Sequence, residues 1–173
     1  MKIKKINSFC IINTIKEHKD IKEKLLSLID KTPYTKLNNI SKSDFSIPGN
    51  IHRPYSDLFL PIVNNYLNEI KNKFKWKSLD IHTYWFQQYY EKDKHNWHCH
   101  GPTNFTNIYF LELPDKKLTT EIYDYTTNKK IPNLYVKEGD LLTFPSIFPH
   151  RSTINNTNKR KTIISFNTNF NYN

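Results

Sequence analysis

Three histidines have the residue type and the spacing of metal ligands. His98 and His100 stand in the segment "NWHCHG", and His150 follows Pro149 further along the chain. Residues two apart on an extended strand project from the same face, so His98 and His100 would share one face while Cys99 points the other way. Two imidazoles on one face can bind a single divalent metal, with a third ligand supplied from elsewhere in the fold. His150 is the candidate third ligand.

The other four of the seven histidines have weaker patterns. We interpret His18, His52 and His82 as structural residues. His95 is expected in a loop near the mouth of the metal site. Large aromatic side chains close to the histidines could line a pocket, namely Tyr84, Trp85 and Trp97.

The first third of the chain has the hydrophobic period of helices. In "KEHKDIKEKLLSLIDKT" and "SDLFLPIVNNYLNEIKNKFKW" apolar residues recur three and four positions apart, which predicts two amphipathic helices with one buried face each. Ser56 stands where it could cap the second helix. The segment from Thr32 to Pro54 has little pattern and is expected to be a long connection.

From about residue 79 the pattern changes to short runs of β-branched and aromatic residues separated by turn residues. These predicted strands are "LDIHTYWFQQYYE", "FTNIYFLEL", "LTTEIYDYT", "NLYVK", "DLLTFPS", "HRSTI" and "KTIISFNTNF". Several short strands after two helices predict a small antiparallel jelly roll or β-sandwich with the helices packed on one sheet. The fold class is therefore mainly β with flanking helices, an α+β arrangement.

Size and composition limit the possible classes of protein. A chain of 173 residues is expected to form one domain, 1–173, with a helical cover and connection over 1–78 and a jelly-roll core over 79–173. The chain has three glycines and neither a GxGxxG nor a GxxxxGK[ST] pattern, which excludes those nucleotide-binding motifs. The net charge of +10 would attract anions of any kind.

Nothing in the sequence predicts export or membrane insertion. The start lacks the pattern of a signal peptide, and no apolar run reaches the roughly 18–20 residues that cross a bilayer. Two cysteines, Cys10 and Cys99, do not define a disulfide framework. We therefore expect a cytoplasmic protein, in the host cell if a phage encodes it, that does not contact membranes.

Five segments together resemble the iron(II)- and 2-oxoglutarate-dependent oxygenases, in particular small members common in phages and bacteria that are akin to prolyl 4-hydroxylases. The segments are "WHCH", "NIYFLEL", "EGDLLTFPS", "PHRS" and "RKTIISFN", and they occur in the order and with the separations of that family between about residues 84 and 170. The resemblance implies a double-stranded β-helix, the jelly roll also found in cupins. Its cofactor would be Fe(II), with 2-oxoglutarate as co-substrate and O2 as oxidant.

The resemblance also implies roles for particular residues. His98, His100 and His150 occupy the positions of the iron ligands and so of the catalytic centre. A cation at Arg160 or Lys161 would bind the far carboxylate of 2-oxoglutarate. Strand alternation allows only one of the two inside the barrel.

Neighbouring positions would complete the co-substrate site in this interpretation. Arg160 shares its strand face with Thr162, whereas Lys161 shares its face with Ser165 and Asn167. Tyr90 resembles the tyrosine that often also contacts the co-substrate. Thr162 and Tyr90 are therefore predicted co-substrate residues together with the cation.

Position 100 departs from the family pattern, since most members have a carboxylate there. A site with three neutral histidines places one negative charge less on the metal. Alternatively, one of the paired histidines lies outside the metal's first coordination sphere, and a carboxylate such as Glu91 or Glu112 completes the site.

The function that the resemblance implies is oxidation of a substrate, as by a hydroxylase, coupled to decarboxylation of 2-oxoglutarate to succinate. The substrate, whether a protein side chain, a nucleic acid or a small metabolite, and the oligomeric state stay open at this point. Two alternatives belong to other classes: a three-histidine zinc or iron enzyme of cupin type that does not use 2-oxoglutarate, and a basic β-sandwich that binds nucleic acid without catalysis.

Overall fold

The computed structural model describes residues 8–125, 127–131 and 134–172, together with residues 2 and 4. In these parts of the chain, two helices precede most of the strands. The helices are α1 (His18–Asp30) and α2 (Pro54–Phe74). The strands are β1 (Ile11–Thr14), β2 (Thr35–Leu37), β3 (Ser41–Ser43), β4 (Ser78–Tyr89), β5 (His95–His98), β6 (Phe105–Glu112), β7 (Thr120–Asp124), β8 (Lys129–Lys130), β9 (Asp140–Pro145), β10 (His150–Ser152) and β11 (Lys161–Asn171).

The strands form two antiparallel sheets, and the predicted jelly-roll arrangement with helices on one sheet is confirmed. The larger sheet has seven strands in the order β1-β9-β6-β11-β4-β3-β2, and the smaller one has four in the order β5-β10-β7-β8. Strand alternation divides the larger sheet into two faces. Tyr109 and Phe166 face α1 and α2, whereas Phe110 and Ile163 pack in a second cluster together with Ile122 of the smaller sheet. A ligand placed between the sheets is therefore surrounded by both.

The two predicted helices form, but Ser56 does not cap the second one. Helix α2 begins at Pro54, because a proline at the first helical position fits the backbone angle and lacks an N–H that would be unpaired there. Ser56 lies one turn inside, and its hydroxyl donates a hydrogen bond of 2.7 Å to the carbonyl of Arg53.

Three strand predictions need correction. The supposed connection between Thr32 and Pro54 contains the hairpin β2–β3, whose short polar strands have no hydrophobic alternation to reveal them. Strand β1 and the two-residue strand β8 were not predicted either, and β1, β2 and β3 of the larger sheet all come from before residue 78. No strand is assigned in the described part of "NLYVK", residues 134–137.

Candidate metal centre

The three histidines predicted as ligands come together between the sheets. One ring nitrogen from each of His98, His100 and His150 lies within 4.8 Å of the other two. His98 ends β5, His150 begins β10, and the two are cross-strand partners. His100 lies beyond the end of β5, so strand alternation alone does not place it. Its backbone N–H donates to the carbonyl of Ser146 at 3.1 Å, which holds this residue beside the other two.

Each of the three rings uses its Nδ1 atom in a hydrogen bond to a carbonyl oxygen. His98 Nδ1 lies 2.8 Å from the backbone oxygen of Asn96, and His150 Nδ1 lies 3.1 Å from that of Phe148. The third bond joins His100 Nδ1 to the Asn167 side-chain oxygen at 2.8 Å. A carbonyl oxygen only accepts, so Nδ1 carries the proton and donates, and the Nε2 lone pair is left for a metal.

The environment also keeps these imidazoles neutral, as metal ligands must be. Burial lowers the pKa of all three rings, and for His150 it does so to about 3. The neighbouring histidines contribute to this lowering of the His150 pKa after burial. The cluster therefore consists of three uncharged nitrogen donors, which suits Fe(II) and Zn(II) alike.

His95 lies in the site and not in a loop, which corrects the prediction for this residue. It begins β5, and its ring stacks on that of His98 with 4.0 Å between centroids. The pairing of β5 with β10 shifts register between His98 and His95, so the two side chains lie next to each other although they are an odd number of residues apart. Burial and the adjacent rings lower the pKa of His95 to about 4.

The histidines interpreted as structural lie away from the cluster. His18 Nδ1 is 2.7 Å from the hydroxyl of Tyr109, and His52 Nε2 is 3.1 Å from a carboxylate oxygen of Asp57. His82 is exposed on β4.

Lys161 is the cation that points between the sheets. Its side chain is 1% exposed, and its Nζ donates to the Ser152 hydroxyl at 2.8 Å. The same ammonium lies 5.0 Å from the centre of the Tyr89 ring. Among the described residues, no carboxylate forms an ion pair with Lys161. Burial without such a partner lowers the pKa of Lys161 to about 7.

The other predicted co-substrate residues lie elsewhere. Arg160 donates to Glu112 through Nε at 2.7 Å, and the Thr162 hydroxyl donates to the same carboxylate. Tyr90 is 36% exposed, and Lys36 lies 5.3 Å from its ring centre. Glu91 is also outside the cluster, 3.6 Å from Lys92. Glu91 and Glu112 were considered as alternative third metal ligands. The structure places neither carboxylate next to the histidines.

Residues missed from the sequence support the cluster. Tyr89 is the cross-strand partner of Lys161, and its hydroxyl is hydrogen-bonded to Ser152. Asn167 is the cross-strand partner of Thr106, whose hydroxyl lies 3.0 Å from His100 Nδ1. These pairs depend on the register between strands that are far apart in the sequence, which the sequence does not reveal. Only the strand face shared by Lys161 and Asn167 could be recognised from it.

Two spaces adjoin the histidines. We call His98, His100 and His150 the triad. A narrow space of about 20 Å³ lies between the triad and the pair formed by Tyr89 and Ser152. A five-carbon dicarboxylate needs more room than one water molecule occupies, so its binding here requires the lining side chains to move apart. A second space of about 490 Å³ opens from the triad toward the hairpin β2–β3 and is lined by Trp85. Of the other two predicted pocket aromatics, Tyr84 packs on the helix-side core, and Trp97 lines an outer cavity that adjoins this space.

Solved structures with this architecture were found among oxygenases. A 2OG-Fe(II) oxygenase family oxidoreductase from Burkholderia pseudomallei superposes with a TM-score of 0.73 at 9% identity, over 94% of this chain and 86% of that one. A Trichoplax adhaerens prolyl hydroxylase in complex with a hypoxia-inducible factor peptide fragment gives 0.66 at 14% identity, over 92% and 82%. A viral collagen prolyl hydroxylase from Paramecium bursaria Chlorella virus-1, in complex with 2OG, gives 0.58 at 14%, over 93% and 94%.

The sequence matches no protein-family model and no curated protein. At these identities the superpositions establish a shared fold. The chain therefore has the jelly-roll fold of 2OG-Fe(II) oxygenases, including prolyl hydroxylases. No helix in the described part of the chain is long and apolar enough to span a membrane.

Proposed function

We propose that the protein is an Fe(II)- and 2-oxoglutarate-dependent oxygenase that hydroxylates its substrate. His98, His100 and His150 would bind the iron, and Lys161 would pair with the far carboxylate of 2-oxoglutarate. The observation that carries the proposal is the buried ammonium of Lys161. Within the described part of the chain it has no anionic partner, and it bonds to Ser152, which lines the same narrow space as the three histidines.

The residues present fit such a cofactor and co-substrate. Three neutral imidazoles with fixed Nδ1–H tautomers offer Nε2 donors to one metal. Lys161, Ser152 and Tyr89 offer a charge and two hydroxyls to a carboxylate. A zinc hydrolase needs only the first of these two sets, so the buried cation favours the oxygenase.

When bound, iron with 2-oxoglutarate would activate O2, which is the oxidant of both the co-substrate and the substrate. The overall reaction converts a substrate C–H, 2-oxoglutarate and O2 into C–OH, succinate and carbon dioxide, which balances atoms and electrons. The chain's own residues would orient the ligands, neutralise the distal carboxylate and exclude water. Tyr89 and Phe110, both fully buried beside Lys161, form the dry part of this environment.

The kind of substrate proposed here is a protein side chain. The support is that one prolyl hydroxylase of similar fold was solved with a peptide. A cytoplasmic location is proposed as well, and it agrees with the free thiols of Cys10 and Cys99.

The test is anaerobic addition of Fe(II) and 2-oxoglutarate, followed by exposure to air. We expect the weak visible absorption band of the iron–2-oxo acid complex and then succinate. Lys161→Met should lose both at co-substrate concentrations that saturate the wild type, and Arg160→Met should keep both. The Lys161→Met variant should fold, because an apolar side chain at this buried site removes the cost of burying an amine.

Absence of both the band and succinate in the wild-type protein would overturn the oxygenase proposal. Loss of both in Arg160→Met but not in Lys161→Met would overturn the assignment of the cation. Hydrolytic activity with Zn(II) in place of a response to Fe(II) would favour the zinc enzyme.

A further inference from the structure

We infer that the oxidised group is an uncharged, apolar side chain of an extended polypeptide, and that Phe45 helps to select it. This inference rests on the proposed function. The polypeptide would lie in the space that adjoins the triad between the hairpin β2–β3 and strand β5, which we call the cleft.

None of the described residues that line the part of the cleft next to the histidines carries a charge. This chamber of about 490 Å³ is walled by Leu37, Ile40, Phe45 and Trp85, with serines, Thr35, Gln87 and Asn167 as the polar members. A charged group entering it would lose hydration without gaining a partner, which disfavours its binding. An apolar group would bury surface instead.

Phe45 is exposed in a way that packing inside the protein does not explain. It is 68% exposed, although it is a large apolar residue. Its ring meets Trp85 edge to face with 5.1 Å between centroids, and Trp85 in turn lies 5.5 Å from the His100 ring. These rings lead from the mouth of the cleft to the triad.

The backbone beside Phe45 is held firmly by its neighbour. The buried Asp44 carboxylate accepts hydrogen bonds from Arg53 Nε at 2.8 Å, the Tyr55 hydroxyl at 2.9 Å and the Phe86 N–H at 2.7 Å. A fixed exposed aromatic at the mouth of an apolar chamber is suited to contact a ligand.

The shape of the cleft favours a polypeptide over a small metabolite. The chamber shares Ile40, His95 and His98 with a second cavity of about 280 Å³ that continues along β5. Strand β5 is an edge of the smaller sheet, and β2 is an edge of the larger one. An extended chain passing along β5 can add strand-like hydrogen bonds to its unpaired edge.

The same path is poorly suited to nucleic acid. Lys94 is the one lysine or arginine among the described residues that line either cavity. A strand of phosphates needs several cations along its length. Charge therefore favours a neutral chain here despite the basic surface elsewhere.

The experiment uses the full chain with Fe(II), 2-oxoglutarate and air. Succinate formed without added substrate is measured first, because it reports the proposed function alone. The protein is then given three pools of randomised peptides whose central residue is apolar, acidic or basic, and also a pool of single-stranded oligonucleotides. Mass spectrometry follows the addition of one oxygen atom. We expect oxidation in the apolar pool, at least about ten-fold above the other pools.

Phe45→Ala should lower oxidation of the apolar pool about ten-fold by raising KM more than it lowers kcat. Phe45→Lys should shift the preference toward the acidic pool. Tyr34→Ala is the matched control, because Tyr34 is an exposed aromatic that does not line the cleft. It should change neither the oxidation of the apolar pool nor the preference among the pools. Melting temperatures check that each variant folds.

Several results would overturn the inference. Preferential oxidation of charged peptides or of oligonucleotides would do so, as would succinate formation with no oxidation in any peptide pool. An unchanged pool preference in both Phe45 variants would remove the role of Phe45. Absence of succinate in every reaction would instead count against the proposed function itself, on which the inference depends.

Discussion

At the scale of single residues, the main feature is that each histidine ring is fixed by a hydrogen bond from its Nδ1 atom, locally for two rings and from a distant strand for the third. Backbone carbonyls two residues earlier hold His98 and His150, whereas the side chain of Asn167 on β11 holds His100. The Asn167 amide nitrogen donates to the Thr83 hydroxyl at 3.1 Å, so its oxygen faces the ring. His100 thus depends on a residue far away in sequence.

Replacing Asn167 tests this dependence. Asn167→Leu should lower the affinity for Fe(II) or Co(II) about 10- to 100-fold, because the ring loses the acceptor that sets its tautomer. Anaerobic isothermal titration measures the affinity. Asn65→Leu, on the exposed side of α2, is the control and should leave it unchanged. Equal affinities for wild type and Asn167→Leu would show that the amide does not orient His100.

A second residue-scale prediction concerns pH and Lys161. Its lowered pKa of about 7 means that the empty site loses its positive charge as the pH rises above 7. Binding of a carboxylate then requires proton uptake. Above pH 7 the apparent Kd for 2-oxoglutarate should therefore rise by up to about ten-fold per pH unit, whereas below pH 7 this group should have little effect.

Titration calorimetry of the Fe(II)-loaded protein in buffers of different ionisation enthalpy measures the affinity and the proton uptake together. Lys161→Arg provides the comparison, since a guanidinium stays charged and should flatten the profile. A wild-type affinity independent of pH, with no proton uptake, would contradict the role of Lys161.

At the scale of secondary-structure elements, the hairpin β2–β3 forms one wall of the cleft although few residue pairs join it to the rest of the sheet. Its sheet pairing with β4 is limited to Lys42 with Gln88 and Ser43 with Gln87. The Asp44 carboxylate adds bonds to α2 and β4 just beyond the hairpin. We infer that this buried group contributes much of the hairpin's attachment.

Asp44→Ala should lower the free energy of unfolding by about 3–5 kcal/mol, because it leaves the buried guanidinium of Arg53 without its carboxylate. Urea denaturation followed by circular dichroism measures the change. Asp57→Ala removes an exposed carboxylate near the start of α2 and should change stability by no more than about 0.5 kcal/mol. A loss below about 1 kcal/mol in Asp44→Ala would show that other contacts hold the hairpin.

At the scale of the whole molecule, the candidate centre joins the two sheets. His98 and His150 belong to the smaller sheet, and His100 is bonded to Asn167 and Thr106 of the larger one. A metal bound by all three rings would therefore link both layers. Since it would bind the folded chain and not the unfolded one, it should stabilise the protein.

Saturating Co(II) or Zn(II), at about 100 times Kd, should add roughly 2.7 kcal/mol and raise the melting temperature by about 5–10 °C. Differential scanning calorimetry measures the shift, and a chelator should reverse it. His150→Ala should abolish the shift, whereas His95→Ala should retain most of it, since His95 is not among the three proposed ligands. Equal shifts in wild type and His150→Ala would exclude this centre as the metal site.

Much of this arrangement was readable from local sequence. Both helices and most strands were predicted because long amphipathic periods record which side of an element is buried. The histidine pair, His150 and the alternation that separates Arg160 from Lys161 also came from the sequence. Strands β1, β2, β3 and β8 were missed because two to four residues, mostly polar in β2, β3 and β8, carry too little periodicity.

The sequence by itself determined which side chains share a face, and the tertiary structure decided which face is inside. The helices cover the side of β11 that carries Thr162 and Phe166, so Lys161 is directed between the sheets and Arg160 toward Glu112. A register shift between β5 and β10 likewise moved His95 next to the triad. Periodicity is a local property of the chain, whereas layer packing and strand register depend on contacts between distant segments, and those contacts exist only in the folded protein.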